Sequence, residues 1–413
     1  MTDLSPRPPA ITLAALSGLY LAQGLPAGLL AHALPALMSL DGIDVRWIGA
    51  IKLLALPWFF KFLWAPLVDR YGDRRYWILV LQSAAALSLL AVSLLPLAFS
   101  GSAFVILALL LLCLNLVSAT QDVATDGLAV SVLPVRWHGA ANSVQVVAYK
   151  IGLIAGGSGL LLVLDTLTWS IATQGMALLL LLLLLPVWLM PSRAGVVARE
   201  TRTVSYWQDG FRGFFHHRVG MPSWLLVLLT FKVADSLGSA MIKPLLAAQG
   251  WDAAGMGGIT AWASIHGLLG ATLGGVLYFR WGAFRCLLGF GFLQAIGIGA
   301  WALLAIEPDR PVVYAIAAFE QLADGMSTVA LFAVMMAWCR RGHEGGDYTL
   351  QMSLHMLIAG VGSVLSGFVA HTLGLTLHFL LAGLAGLASL WLVWRLRAVP
   401  MHGHRPASAS ATV

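Results

Sequence analysis

The stretch Leu56–Arg75, LPWFFKFLWAPLVDRYGDRR, decides how this chain is read. Its apolar part holds a single lysine, Lys61, and it ends in a dense run of charge from Asp69 to Arg75. An apolar run of about 20 residues lies on either side of that charged turn, each long enough to cross a hydrocarbon core about 30 Å thick. The same alternation repeats along the chain. Of 413 residues, 59% are hydrophobic and only 10% charged, too little charge to cover a soluble surface. The chain therefore reads as a polytopic helical membrane protein.

Twelve spans are expected, near 11–37, 46–68, 76–98, 103–133, 142–164, 171–190, 222–246, 255–279, 286–306, 312–338, 349–373 and 376–395. With the N-terminus cytoplasmic, the inside segments hold 17 arginines and the outside segments only Arg46 and Arg310. By the positive-inside rule this bias places both termini in the cytoplasm. It also accounts for the net charge of +6 without a nucleic-acid partner. Cys113, Cys286 and Cys339 have no metal-ligand spacing and are expected as free thiols. The glycine-rich runs GLIAGGSG (152–159) and GVGSVLSG (360–367) lack a strand–loop–helix context, so they read as close helix packing. No cofactor or resident metal is expected.

A polar segment, 191–221, separates an N-terminal unit, 1–190, from a C-terminal unit, 222–413. Its YWQDGFRGFF (206–215) is either an amphipathic helix on the inner leaflet or part of a solvated linker. The two units look related. Arg70, Gly72 and Arg75 after the second span recur as Arg280, Gly282 and Arg285 after the eighth. DVATDG (122–127) recurs as EQLADG (320–325), and Gln145 corresponds to Gln351. Matches in consistent order predict an all-α membrane protein of two pseudo-symmetric six-helix bundles.

The DRYGDRR turn resembles the signature loop of the major facilitator superfamily, with Ala65 where that family usually has Gly and Asp73 as an extra residue. Together with QDVATDG and YKIGLIAGG, the longer 56–75 block is similar to one branch of that superfamily. The branch holds AmpG-type muropeptide permeases, acetyl-CoA transporters and siderophore permeases of the RhtX/FptX type. The compact length is more similar to the siderophore permeases. That resemblance implies the major facilitator fold and import of a ferric siderophore from periplasm to cytoplasm across the bacterial inner membrane, with a muropeptide permease as the alternative. It also implies that Asp69, Arg70, Gly72, Arg74 and Arg75 form a charge lock controlling conformational exchange.

All five lysines, Lys52, Lys61, Lys150, Lys232 and Lys243, fall within expected spans, as do Asp122, Asp126, Asp235, Glu320 and Asp324. A lone charge at mid-bilayer costs about 2.5–3.5 kcal/mol on insertion scales, so such groups face a partner or a wetted cavity. Asp122 and Asp126 are four apart and share a helix face. Either one of them carries a proton or both are clamped by cations. Asp126 is also close enough to its helix end to join the lock, and Lys61 either snorkels to the interface or functions. Lys150, beside Tyr149, is a cavity candidate. Lys232 and Asp235, three apart, suit a local pair, whereas Lys52 and Lys243 lie nearer the periplasm.

Neutral candidates for substrate contact are Gln23, Gln121, Gln145, Tyr149 and Gln351. Gly24 and Pro26 favour a bend beside Gln23. His32, His266 and His355 are candidates for proton transfer or simple packing. The sequence has no nucleotide-binding motif, and its acids lack the Gly-x-Gly-Asp context of an intramembrane protease. The expected activity is thus proton-coupled secondary transport by a monomer, not enzymatic catalysis.

Overall fold

The computed structural model describes residues 10–43, 51–71, 73–97, 99–164, 166–190, 212–218, 220–251, 253–305 and 309–398. Lys52, Gly72 and most of the 191–221 segment, including 206–211 of the expected amphipathic helix, lie outside what is described, Lys52 for its side chain alone.

Helices dominate throughout. They are α1 (Ala10–Met38), α2 (51–70), α3 (Arg74–Ser93), α4 (Gly101–Val132), α5 (His138–Leu164) and α6 (Trp169–Trp188). The second series is α7 (Met221–Ala248), α8 (253–281), α9 (283–300), α10 (Arg310–Ala337), α11 (Glu344–Leu373) and α12 (Leu375–Arg395). Among the described residues, nine helices are long and apolar enough to cross a bilayer, with α8 and α9 counted as one. The others are α2, which is broken, and α10, which carries Glu320 and Asp324.

The loop expected at 280–285 shrinks to one residue. Gly282 has φ of 76° and turns α8 into α9, a backbone state that only glycine enters without strain.

Several helices are irregular where polar residues lie. The bend expected beside Gln23 is a π-helical turn, Leu29–Ala33, just after Pro26 in α1. α5 has a matching π turn at Ala155–Gly159. There the two helices cross on glycine: a Cβ on Gly24 or Gly28 would strike the backbone at Tyr149 or Leu153, and one on Gly152 or Gly156 would strike Leu21 or Leu25. The GLIAGGSG run is thus a backbone-to-backbone contact, as small residues permit. α2 narrows to a 3-10 turn at Lys61–Leu63 and restarts at Ala65, while α7 breaks at Phe231–Lys232.

The apolar cores show how the helices are arranged. At the face bearing the Asp69–Arg75 turn, one continuous core mixes Leu16, Tyr20 and Ala141 of the first six helices with Tyr278, Met336 and Tyr348 of the last six. Toward the other face there are two separate cores. Leu29, Met38, Leu89 and Leu111 form one, and Leu245, Trp301, Val313 and Phe379 the other. The two sets thus share a core at the arginine-rich face and keep separate cores toward the opposite one, the parted face. Residues 212–216 form a short helix with Phe214 buried in the shared core and Arg212, Phe215 and His216 exposed.

Candidate functional site: paired charge clusters and a lock

Each set of six helices encloses its own charge cluster. In the first, the break in α2 turns Lys61 inward, where it forms an ion pair with Asp122 of α4. Both side chains are over 90% buried, which removes competing water. Trp58 and Trp64 flank Lys61 and anchor it to α4, donating to Asn115 Oδ1 at 3.1 Å and Thr120 Oγ1 at 3.0 Å. Asp126, one turn along, accepts from Tyr20 Oη at 3.0 Å and Gln145 Nε2 at 3.3 Å. Gln121 donates to Gln82 Oε1 at 2.6 Å.

The second cluster keeps the two acid positions but takes its lysine from a different helix. Lys232, freed by the break in α7, pairs with Asp324 at 2.5 Å and donates to Ser327 Oγ at 2.8 Å. The expected local pair of Lys232 with Asp235 is corrected: the break turns the ammonium across to α10. Gln294 of α9 supports Asp324 at 3.1 Å and accepts from Ser327 at 2.8 Å. Glu320, only 1% exposed, accepts from the neighbouring Gln321 Nε2 at 3.1 Å. Asp235 is partly exposed.

Lys150 reaches between the two clusters. Although it belongs to α5, a side chain at Gly267 of α8 would come within 3.0 Å of its Nζ and 3.3 Å of Gln321 Oε1. Tyr149 and His355 are half-buried, the latter edge-on to Phe332 at 6.0 Å. Gln23 is 3% exposed, with its amide nitrogen unpartnered among the described residues. Gln351 is fully buried, accepting from Trp224 Nε1 at 2.8 Å and donating to Met335 O at 3.0 Å. Its counterpart Gln145 touches Asp126 instead, so the repeat preserved the residue and changed its contact.

At the arginine-rich face the Asp69–Arg75 turn of the first set grips α11 of the second. Asp69 accepts from Arg74 at 2.9 Å and from the backbone N–H of Gly345 and Gly346 at 3.1 and 2.5 Å. Arg74 also pairs with Glu344 at 2.7 Å. These are the orphan N–H groups of a helix N-terminus, where a carboxylate is favoured by charge and hydrogen bonding together. Arg340 braces the same end by pairing with Asp347 at 2.6 Å. Arg75 turns away and donates to Trp188 O of α6, and Arg70 is exposed with its guanidinium over the Tyr71 ring. Asp126 stays outside these contacts.

Other bonds between the two sets lie near this face. Ser143 Oγ donates to Ala271 O at 2.6 Å, and Tyr348 Oη meets Asn142 and Gln145 at 3.5 Å.

Sequence reading did not single out Tyr20, Gln82, Gln294, Asn142, Glu344 or Asp347. A register comparison would have flagged one of them. Tyr20 and Gln23 are spaced as Lys232 and Asp235 are, so Tyr20 stands where the second half has its lysine.

Two sets of helices that enclose charges and are tied together at one face by breakable bonds make a secondary transporter of the major facilitator type. Among solved structures, FucP, a major facilitator superfamily transporter crystallised in the outward conformation, matches with a TM-score of 0.72 at 15% identity. The match covers 95% of this chain and 99% of that one. The anhydromuropeptide permease of Escherichia coli (strain K12) is 31% identical over 360 residues, covering 84% of this chain and 71% of the relative. The chain belongs to this AmpG-type family of permeases. An uncharacterised protein of Haemophilus influenzae is 29% identical over 381 residues, covering 86% of this chain and 88% of its own. The family model described as acetyl-coenzyme A transporter 1 matches residues 12–166.

Proposed function

We propose that this permease imports a peptidoglycan fragment of the anhydromuropeptide class. The observation that carries the reading is the 31% identity to the E. coli anhydromuropeptide permease across most of both chains. The relatives favour this substrate over a ferric siderophore, which the sequence alone had placed first. The interior chemistry agrees with them. A sugar–peptide needs neutral donors and acceptors beside charge, and Gln23, whose amide nitrogen is unpartnered among the described residues, and the partly exposed Gln321 supply side-chain amides of that kind.

Import follows if the arginine-rich face is cytoplasmic, as the positive-inside rule has it. The parted face then opens to the periplasm of a bacterial inner membrane, and the Asp69–Arg74–Glu344 lock holds the cytoplasmic exit shut. Substrate binding and proton entry would bring the parted faces together and release the lock, a population shift between two packings. Protons are the driver in this reading. One charge crossing 100 mV releases about 2.3 kcal/mol, enough for more than tenfold accumulation.

The test is uptake into proteoliposomes holding the purified chain, with labelled anhydromuropeptide in one series and radioiron-loaded siderophores in the other. Accumulation of the first and none of the second is expected. The reverse would restore the siderophore reading.

A further inference from the structure

The interior charges do not balance. Among the described residues, Lys61, Lys150 and Lys232 face Asp122, Asp126, Asp235, Glu320 and Asp324, leaving two carboxylates in excess. Lys61 neutralises Asp122, and Lys232 neutralises Asp324. Asp126 is held by two neutral donors from different helices and lies beneath the shared core near the lock. Glu320 is different. Like Asp126 it is 1% exposed with no cation within 4.0 Å among the described residues, but its hydrogen-bond donor is the amide of its own chain neighbour rather than two groups held on other helices. An unpaired buried carboxylate costs several kcal/mol, and taking up a proton removes that cost.

The surroundings of Glu320 suit exchange rather than permanent neutrality. On α7, Lys232 and Asp235 act on it, and on its own helix Asp324 does. On α9 its neighbour is Gly297, where a Cβ would come within 3.0 Å of the Glu320 backbone, so no side chain covers it there. On α8, His266 is held to Trp262 O at 2.9 Å, and His355 of α11 is held edge-on to Phe332. On α5, Lys150 stops beside Gln321, the residue that donates to Glu320. Asp235, whose charge acts on this buried acid, is itself partly exposed.

We propose that Glu320 is the proton-carrying carboxyl of the transport cycle and that Lys150, reaching across from the first six helices, is its alternate partner. With the two sets parted, one proton enters from the parted face by way of Asp235 and sits on Glu320. When the two sets rock together, Lys150 moves past Gln321 to pair with Glu320, and the proton leaves toward the other face. One proton is taken up on one side and one released on the other per cycle, with no other bond made or broken. Because Lys150 and Glu320 belong to different sets of helices, their pairing reports the conformation, which is what couples the proton to the movement.

This rests on the transporter reading but not on the identity of the substrate. The first test therefore uses no substrate. In the infrared difference spectrum of the purified full chain taken between acid and alkaline pH, wild type should show a protonated-carboxyl band. Glu320→Gln should abolish that band, and Glu320→Asp, which keeps an acid on a shorter arm, should shift it. A band that survives Glu320→Gln at full intensity while Asp126→Asn or Asp235→Asn removes it would overturn the assignment.

The second test uses labelled anhydromuropeptide in proteoliposomes. Under an imposed pH gradient wild type should accumulate it more than tenfold, and Glu320→Gln should fall to onefold while still exchanging label between equal concentrations. Gradient-driven accumulation by Glu320→Gln would refute the proposal. If wild type moves no anhydromuropeptide, the substrate reading fails, while the infrared result stands on its own.

Discussion

The two interior clusters occupy the same places in their halves, yet they are neutralised in different ways. In the first, the cation comes from α2: Lys61 pairs with Asp122, and Asp126 is left to Tyr20 and Gln145. In the second, the cation comes from α7: Lys232 pairs with Asp324, the counterpart of Asp126, and Glu320, the counterpart of Asp122, is left to Gln321. The acids kept their positions across the repeat while the lysine moved from one helix to another. A duplicated scaffold can thus hold two carboxylate pairs in register and still make one member of each pair different in kind. Asp126 is held by a phenol and an amide from two other helices, and Glu320 by the amide of its own chain neighbour.

This comparison can be broken experimentally, and the largest effect should come from the second cluster's cation. Lys232→Ala leaves Asp324, whose side chain is 20% exposed, with only neutral donors, and the loss should approach about 3–5 kcal/mol, the cost of removing one member of a buried pair. Detergent-solubilised Lys232→Ala should unfold at a clearly lower temperature than wild type. The double variant with Asp324→Ala should recover part of the loss. Equal destabilisation in the single and double variants would show that the pair carries no coupling, and the clusters would differ only by accident.

A smaller effect is expected at the lock. Asp69→Asn keeps its size but loses the charge that holds Arg74 and two backbone N–H groups of α11, hydrogen bonds to a charged group being worth about 1.5–3 kcal/mol. The arginine-rich face should open more often. Cys339, half-buried between the halves with its Sγ donating to Met335 O at 3.3 Å, should react with a maleimide several-fold faster. An unchanged labelling rate would mean that the shared apolar core alone keeps the face shut.

The smallest effect should follow Tyr20→Phe. It removes one neutral donor from Asp126 and leaves Gln145 in place, a loss of about 1 kcal/mol. A fall in stability as large as that of Lys232→Ala would show Tyr20 to be the true counterpart of the lysine in function as well as in position.

What could be read without the structure follows the range of the forces involved. Apolar runs report the cost of burying backbone and charge in lipid, residue by residue, so most spans lie within a few residues of where they were expected. The 280–285 turn departs because Gly282, a single left-handed residue, does the work of a six-residue loop. The bend after Gln23 was legible because Pro26 withholds an N–H whatever surrounds it. The grip of Asp69 and Arg74 was expected from a resemblance, but its receptor was not. Glu344, Gly345 and Gly346 are about 270 residues away along the chain, and nothing local marks a helix end as the partner of a distant carboxylate.

By itself, then, the sequence determined that charged residues lie inside a membrane-spanning bundle built as a repeat. Hydrophobicity and spacing are local properties, and the cost of an intramembrane ion is paid wherever its partner lies. Only the tertiary structure decided which lysine meets which acid. The breaks at Lys61 and Lys232 turn each ammonium across to another helix, and a pair formed through space leaves no trace in the spacing of either partner.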